Sequence, residues 1–319
     1  MSNKARILLW TDTPAAYQAA IEEAGLASRV AVEILSRKEQ PNPDQRAGVD
    51  AMLALAAPPG LLPTMTKLRW VQGLTAGIEG WLALPDLPPT LTLTSARGTH
   101  RESMPENILG ALFHIAKPYA AIVEDNRTGT WTRRMAMPLN GKTLGILGLG
   151  AIGQDLARMA AAIGMRVVGT RRTPGDLPGV AQVYPPEQTN EVLAQADFLV
   201  LLLPSTPATD NSVNAAMLAR MKKGAWLLNF GRGALINDAD LIAATESGHL
   251  AGAILDVFRT EPLPGDHPFW GAKGIMVLPH IGGGHPDRDR TVAKLFVENL
   301  SRFLDGQPLR ETVDRVAGY

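Results

Sequence analysis

Residues 143–163 read TLGILGLGAIGQDLARMAAAI, and this stretch decides how the larger part of the chain folds. An apolar strand pattern, Leu144–Leu147, leads into the turn GLGAIG, and a helical pattern leads out of it. In such a unit Gly148 permits the tight turn, Gly150 lets the backbone approach a pyrophosphate, and Gly153 lets helix and strand pack closely. The helix start adds unpaired N–H groups and the positive end of the helix dipole. The stretch therefore predicts a dinucleotide-binding turn; the alternative is a tight turn that holds no ligand.

Strand and helix patterns continue to alternate after this turn, as in a mostly parallel α/β sheet. The predicted strands are Leu144–Leu147, Met165–Val168, Phe198–Leu202, Trp226–Asn229, Ala253–Asp256 and Ile275–Leu278. The predicted helices are Ile152–Ile163, Glu187–Ala194, Ala215–Met221 and Ala239–Thr245, preceded by an amphipathic helix, Ser103–Ala116. Six strands with alternating helices predict a complete doubly wound dinucleotide-binding sheet.

An earlier α/β series lacks any glycine fingerprint. Its predicted strands are Ile7–Trp10, Val30–Leu35, Leu68–Val71 and Leu91–Thr94, with a helix at Pro14–Ala24. A last helix, Asp287–Leu304, presents Val292, Leu295, Phe296 and Leu300 on one face, and we expect it to pack on this first series. The predicted architecture is thus two α/β domains: a Rossmann domain over residues 100–285, and a smaller, discontinuous, flavodoxin-like substrate domain over 1–99 and 286–319.

The bulk properties fit this organisation. A length of 319 residues favours two domains, and 45% hydrophobic residues indicate a globular chain. Lys plus Arg equals Asp plus Glu at 31 each, so no net charge favours nucleic acid or an anionic membrane. The absence of cysteine excludes disulfides, thiolate nucleophiles and cysteine-based zinc sites, and we expect no metal site. With no secretory or membrane-spanning pattern, we expect a soluble, cytoplasmic protein without nucleic-acid or membrane partners.

The residues after the second Rossmann strand bear on the choice of dinucleotide. NAD sites usually carry an acidic residue about 20 positions after the glycine turn, where it accepts from the ribose hydroxyls. This chain instead reads Gly169-Thr170-Arg171-Arg172. Arg171 or Arg172 is suited to bind a 2′-phosphate by charge-assisted hydrogen bonds. We therefore expect NADP to be preferred, with NAD possible; the alternative is a pair of solvated loop arginines.

Three ionisable residues lie just beyond three late strands. Arg232 follows Trp226–Asn229, Glu261 follows Ala253–Asp256, and His280 follows Ile275–Leu278. In doubly wound sheets this edge holds the ligand. The set suits reversible reduction of a 2-keto acid, because histidine titrates near neutral pH and can supply the proton that accompanies hydride transfer. A neighbouring carboxylate favours the imidazolium and fixes the ring, and the arginine can clamp a substrate carboxylate.

Each of these three residues also has a structural alternative. A lone histidine after a strand is more often a satisfied structural group, Arg232 could cap a helix, and Glu261 could be a solvated loop residue. Their occurrence together at one sheet edge is what favours the catalytic interpretation.

Five segments resemble the D-isomer-specific 2-hydroxyacid dehydrogenases, in family order and spacing. They are Leu139–Gly153 (LNGKTLGILGLGAIG), Pro204–Thr209 (PSTPAT), Leu228–Gly233 (LNFGRG), Leu255–Pro264 (LDVFRTEPLP) and Leu278–Gly283 (LPHIGG). The resemblance implies that Arg232, Glu261 and His280 are catalytic, and that Thr75, Ala76, Gly77 and Arg232 bind the substrate. It implies cofactor contacts, beyond the glycine turn and residues 170–172, at Met104, Ala151, Ile152, Leu203, Pro204, Thr209, Phe230, Gly231, Asp256, Gly282 and Gly283. It also implies a homodimer.

The resemblance is strongest to NADP-dependent glyoxylate/hydroxypyruvate reductases, because Arg171 stands where NAD-using members keep an acid. Glu79 replaces the usual aspartate of the substrate loop, and Gly282–Gly284 is unusually rich in glycine. We expect reduction of small 2-keto acids to D-2-hydroxy acids. Enzyme alternatives are formate, phosphite or phosphoglycerate dehydrogenases; the loop Gly73–Gly80 has no basic residue for a phosphorylated or phosphite substrate. A different class is a dinucleotide-sensing regulator on the same fold, such as a corepressor.

Overall fold

A computed structural model describes residues 4–316 and residue 318. The predicted first domain includes Met1–Asn3, Ala317 and Tyr319, which lie outside the described residues. The chain divides into two compact units. One comprises the chain up to Thr99 together with the part from His285 onwards, and the other is His100–Gly284. The prediction had placed the second division one residue later, after residue 285.

The first unit contains a five-stranded, wholly parallel sheet. Its strands are β1 (Ala5–Trp10), β2 (Val30–Leu35), β3 (Ala51–Ala54), β4 (Trp70–Gly73) and β5 (Thr92–Thr94), in the order β2-β1-β3-β4-β5. Its helices are α1 (Ala15–Glu23), α2 (Pro43–Gly48), α3 (Glu79–Leu82) and a C-terminal helix, Arg288–Leu304, with a 3-10 turn at Leu62–Thr64. This strand order is the flavodoxin-like one, as predicted for the smaller domain.

The prediction for this sheet was wrong about one strand and shifted another. Strand β3, with the sequence AMLA, was missed although all four of its residues are buried. Two of the four are alanines, which lack the β-branched and aromatic character that marks a strand in sequence. Strand β4 begins at Trp70, two residues later than the predicted Leu68, because Leu68 closes a turn by donating its N–H to Met65 O at 3.0 Å.

The C-terminal helix packs in the core of this first unit. Val292, Ala293, Phe296 and Leu300 are buried there, so the face differs from the predicted one by Ala293 in place of the half-buried Leu295. The Phe296 ring stacks on Trp70, with centroids 5.6 Å apart. Residues separated by nearly the full chain length therefore share one hydrophobic core.

The second unit contains a seven-stranded parallel sheet in the order β12-β11-β10-β9-β6-β7-β8. The strands are β6 (Thr143–Leu147), β7 (Arg166–Thr170), β8 (Gln182–Tyr184), β9 (Phe198–Leu201), β10 (Trp226–Asn229), β11 (Gly252–Leu255) and β12 (Ile275–Val277). The helices are α4 (Ser103–Ala116), α5 (Tyr119–Arg127), α6 (Ala151–Ala162), α7 (Thr189–Leu193), α8 (Ala215–Leu218) and α9 (Asp238–Glu246). The 3-10 turns are Pro186–Gln188, Gly233–Leu235 and Pro268–Trp270.

The order of this sheet is doubly wound, which confirms the predicted fold class. The prediction of six strands was wrong, since β8 adds a seventh at one edge of the sheet. Strand β8 has only three residues and none of them is buried, so no apolar run marks it in the sequence. The helices α7 and α8 are also shorter than predicted, ending at Leu193 and Leu218.

Because the strands are parallel, the carboxyl ends of β6, β7, β9, β10, β11 and β12 all lie along the same side of the sheet, called here the carboxyl edge. The glycine turn begins at this edge, where β6 passes into α6. The predicted site residues of this unit beyond the glycine turn lie in the segments that follow the other strands, apart from Thr170, the last residue of β7, and Met104 on α4. In residues 4–316 and 318, no helix combines the length and the hydropathy needed to cross a membrane.

Candidate active site

The glycine turn has the geometry that its sequence predicts. Gly148 has a φ of 108°, and a Cβ atom there would lie 2.8 Å from Leu202 O. A Cβ atom on Gly153 would lie 2.4 Å from Gly148 O, so the first turn of α6 sits directly against the end of β6. Any side chain at either position forces the backbone to move.

The surface above this turn fits a dinucleotide pyrophosphate. Gly150 is the N-cap of α6, no side chain caps the helix there, and a Cβ on Gly150 would meet no atom within 4 Å. The first two residues of the helix are Ala151, which is exposed, and Ile152, which is half-buried. Open backbone at a helix N-terminus offers N–H donors and a positive dipole to phosphate oxygens. The residues present therefore fit the diphosphate of a nicotinamide dinucleotide.

The residues after β7 lie beside this turn. Thr170 is buried, pairs in register with Leu147 at the end of β6, and accepts a hydrogen bond from the Leu149 N–H at 2.9 Å. Arg171 and Arg172, which follow directly, are both exposed. The backbone of two arginines thus lies next to the glycine turn, at the position where the ribose of a dinucleotide lies in this fold.

The segment after β9 is closed by the hydroxyl of Thr209. This hydroxyl donates to Pro204 O at 2.8 Å and accepts from the Thr206 N–H at 2.9 Å. Leu203 and Pro204 are half-buried at the start of the turn. Thr209 was predicted to contact the cofactor, and its hydroxyl closes the turn that presents Leu203 and Pro204.

The turn that carries Arg232 is held by the last residue of β10, the fully buried Asn229. The Asn229 side chain accepts from the Gly231 N–H at 3.1 Å and donates to Arg232 O at 2.9 Å. The Arg232 guanidinium donates to Gly231 O at 2.7 Å, and Phe230 is buried beneath the turn. Sequence reasoning missed Asn229; its signal was a polar residue at the end of an apolar strand.

His280 and Glu261 form a hydrogen-bonded pair. The His280 Nδ1 and Glu261 Oε2 atoms are 2.6 Å apart, and Glu261 Oε1 accepts from the Phe258 N–H at 2.8 Å. Both oxygens of the carboxylate are therefore engaged, and pairing through Nδ1 directs proton exchange with a ligand to Nε2. The His280 side chain is 53% exposed, so a ligand can reach the ring. Its φ of 52° lies in the left-handed region, which a residue other than glycine adopts at an energetic cost.

The buried Asp256 fixes the backbone that follows His280. Its Oδ1 accepts from the Ile281 N–H at 2.7 Å, and its Oδ2 accepts from the Gly282 N–H at 2.8 Å. Asp256 was predicted as a cofactor contact, and the structure shows a role in positioning this loop.

Two side chains near the start of this unit also touch the loop, and sequence reasoning missed both. Asn107 on α4 donates to Gly282 O at 3.0 Å. The His100 ring lies against Gly283, where a Cβ would come within 3.0 Å of it. Nothing in the local sequence marked these contacts, since they join residues about 175 and 183 positions apart.

Met104, also on α4, is half-buried and packs against the core of its unit. Phe269 is buried in that unit's other core cluster, its ring centroid 6.3 Å from that of Phe258, so it is a packing residue.

Among the described residues, no group of three or more His, Asp or Glu side chains is arranged to hold a metal ion.

The predicted substrate loop belongs to the other unit. Thr75, Ala76 and Gly77 are half-buried, and the Thr75 hydroxyl donates to Gly77 O at 2.7 Å. Arg288 of the C-terminal helix donates to Leu74 O at the start of the loop. The loop therefore has an internally fixed conformation.

The fold and the site of the second unit define a nicotinamide-dinucleotide-binding oxidoreductase. Residues 109–282 match the family model described as D-isomer specific 2-hydroxyacid dehydrogenase, NAD binding domain. The chain belongs to this family, which acts on small 2-hydroxy and 2-keto acids.

Named relatives support this membership along the length of the chain. The chain is 33% identical to a glyoxylate/hydroxypyruvate reductase A of Serratia proteamaculans (strain 568), covering 93% of this chain and 95% of the relative. It is 37% identical to the human glyoxylate reductase/hydroxypyruvate reductase, covering 76% of each. A solved structure of an NADPH-dependent glyoxylate/hydroxypyruvate reductase from Sinorhizobium meliloti, in complex with NADP and sulfate, superposes with a TM-score of 0.85. Its sequence identity is 30%, over 99% of this chain and 100% of that one.

Proposed function

We propose that this protein reduces small 2-keto acids, of the glyoxylate and hydroxypyruvate kind, to D-2-hydroxy acids with NADPH as the preferred reductant. The observation that carries the proposal is the His280–Glu261 pair, 2.6 Å apart at the sheet edge where the dinucleotide turn lies. The names of the Serratia, human and Sinorhizobium relatives support the substrate class.

The chain's own residues supply the proton for this reaction. A bound nicotinamide supplies the hydride to the carbonyl carbon. His280 donates a proton from Nε2 to the carbonyl oxygen, and in the reverse direction it accepts that proton. Glu261 holds the ring through Nδ1, so that Nε2 is left to face the ligand.

We assign substrate binding to Arg232 and to the loop of the other unit. Arg232 is half-buried on a turn fixed by Asn229, so its guanidinium is positioned before the substrate arrives. A guanidinium can bind a carboxylate through two parallel hydrogen bonds and polarise the neighbouring carbonyl. The N–H groups of Thr75, Ala76 and Gly77 are assigned to the substrate carboxylate.

The preference for NADP rests on the residues after β7. Arg171 and Arg172 are exposed where the ribose is expected, and the segment 169–175, GTRRTPG, contains no carboxylate that would repel a 2′-phosphate. The Sinorhizobium relative, whose structure contains NADP, supports the same assignment.

We also propose that the protein is a homodimer through the surface formed by α5 and residues 128–137. Helix α5 buries no residue within its own unit. Large apolar side chains are exposed on this surface: Tyr119, Val123, Trp131 and Met135, the last two at 98% and 88%. A helix without a buried face gains little stability from its own unit, and an apolar patch of this kind is typical of an interface. A second copy of the chain is the occupant that we assign to it.

Turnover tests the proposed activity. Purified protein is mixed with NADPH or NADH and a panel of 2-keto acids, and oxidation of the dinucleotide is followed by absorbance. We expect glyoxylate and hydroxypyruvate to be reduced, faster with NADPH. His280→Ala should lower kcat by about 10²–10⁴-fold while dinucleotide binding persists, because only the proton donor is lost. Failure of the parent with every acid, or full activity of His280→Ala, would reject the proposal.

A further inference from the structure

Arg259 binds two separate segments of the second unit with one side chain and so joins both to its own loop. Its Nη1 donates to Asp210 Oδ1 at 3.0 Å. Its Nη2 donates to Asn211 Oδ1 at 2.6 Å, to Ala234 O at 2.8 Å and to Ile236 O at 3.1 Å. The side chain is 37% exposed, so it is partly shielded from water. It also donates to two backbone carbonyls, whereas a simple surface ion pair joins only two charged side chains.

Each of these segments carries residues already assigned to the site. Arg259 itself lies two residues before Glu261 in the loop after β11. Ala234 lies two residues after Arg232, in the turn after β10. Asp210 and Asn211 follow the turn closed by Thr209, and the Asn211 N–H also donates to Ala234 O at 2.9 Å. The guanidinium thus ties the Glu261 loop to the Arg232 turn.

The two segments are also in direct backbone contact. A Cβ atom on Gly233 would lie 2.0 Å from the carbonyl carbon of Phe258, so the turn after Arg232 packs against the residue that precedes Arg259. The N–H of Phe258 in turn donates to Glu261 Oε1, and Glu261 Oε2 pairs with His280. A continuous set of contacts therefore runs from Arg259 through Phe258 and Glu261 to the histidine.

We propose that Arg259 is a positioning residue, which holds the Arg232 turn and the Glu261 loop in register so that substrate clamp and proton donor keep a fixed separation. This proposal rests on the proposed function, since it assigns the effect to the reaction of Arg232, Glu261 and His280. Arginine is required because its planar fork reaches a carboxylate, an amide oxygen and two carbonyls together. A lysine ammonium has its three donors at one point, so it cannot bind both the acceptors of Nη2 and the Asp210 carboxylate bound by Nη1.

The test compares Arg259→Met, Arg259→Lys and the control Arg302→Met. Arg302 is as exposed as Arg259; it forms an ion pair with Glu298 on the C-terminal helix, donates to Pro308 O and ties no site segment. We expect Arg259→Met to lower kcat for glyoxylate by about 10–100-fold, because small misplacement of reacting groups costs that much in rate. The kcat of Arg259→Lys should lie between that of Arg259→Met and that of the parent. The dissociation constant of NADPH and the melting temperature should stay near those of Arg302→Met.

A double-mutant cycle separates positioning from general stability. If Arg259 acts in part by positioning Glu261, Arg259→Met in a Glu261→Gln background should lower kcat by a smaller factor than in the parent, since the carboxylate that it positions is gone. Fully additive losses would overturn the proposal. So would a parent-like kcat for Arg259→Met, or a loss that follows a lowered melting temperature.

A readout without turnover keeps this test distinct from that of the proposed function. Hydrogen–deuterium exchange should rise in Arg259→Met, and not in Arg302→Met, over peptides covering 230–237 and 256–262. Unchanged exchange there overturns the positioning role even if the parent is active. An inactive parent with raised exchange in the variant rejects the proposed activity while retaining the link between the two segments.

Discussion

At the scale of the residue, we expect the positive charge after β7 to set the choice of dinucleotide. Changing Arg171 and Arg172 together to Gln should lower the ratio of kcat/KM for NADPH over NADH by about tenfold. The physical reason is the loss of charge-assisted hydrogen bonds to the 2′-phosphate, which together contribute roughly 1.4 kcal/mol at this exposed position, a factor of ten. Steady-state kinetics with both dinucleotides measures the ratio.

The matched control for this change is Arg166→Gln. Arg166 is exposed at the opposite end of the same strand and hydrogen-bonds to Gln195, so its loss alters the net charge without touching the ribose site. A ratio unchanged from the parent in the double variant would show that other groups hold the 2′-phosphate. An equal fall in the control would point to a general effect of charge.

The same scale shows what a sequence can reveal of a site. Glu261 and His280 were predicted to be neighbours because parallel strands end at one edge, and they are hydrogen-bonded. Asn107 was not predicted, because its partner Gly282 O is 175 residues away and only the packing of α4 brings them together. Arg259 likewise reads as an ordinary loop arginine until its acceptors are known. A side chain whose partner is a backbone atom far away in the sequence leaves no pattern in the neighbouring residues from which the contact could be predicted.

At the scale of the element, Asp197 fastens three strands of the larger sheet where they begin. Its carboxylate accepts from the Thr143 N–H at 2.8 Å and from Lys222, and its own backbone bonds to residues 143 and 226. Burial raises the pKa of Asp197, but donation from Lys222 and Thr143 outweighs it, and the net pKa is lowered. A lowered pKa means that the ionised carboxylate stabilises the folded state.

Asp197→Asn should therefore lower the free energy of unfolding at pH 7 by about 1–2 kcal/mol. The stabilisation is present above the unfolded pKa of about 3.9 and is lost as the pH falls through the lower folded value. Urea unfolding of parent and variant should therefore converge below about pH 4. Asp176→Asn, in an exposed loop, is the control. A difference that persists unchanged at acid pH would contradict the electrostatic account.

Strands with apolar runs were predictable, and strands without them were not. The strands Phe198–Leu201 and Trp226–Asn229 are buried except for the half-buried Trp226, and their predicted bounds lie within one residue of the observed ones. Strand β3 escaped because alanine favours no strand, and β8 because it is a three-residue edge strand without a buried residue. Both of these strands are held by pairing with a longer neighbour, β1 or β7, and such tertiary pairing overrides weak local propensity.

At the scale of the whole molecule, the exposed apolar surface of α5 and residues 128–137 leads to a prediction of assembly. Val123 is 54% exposed on a helix with no buried residue, so Val123→Asp leaves the core of its own unit intact. In a dimer the same change buries an unpaired carboxylate, which costs several kcal/mol in each copy. Light scattering coupled to size exclusion should give twice the chain mass for the parent and the single-chain mass for Val123→Asp.

The control for assembly is Gln307→Asp, which adds the same charge at an exposed site after the C-terminal helix and should leave the dimer intact. A monomeric parent at micromolar concentration would reject the homodimer. A dimeric Val123→Asp would place the interface elsewhere, because an interface that buries this helix cannot accept the charge without loss of affinity. If the variant is monomeric and keeps the parent's melting temperature, the exposed side chains of α5 serve association rather than the fold of the single chain.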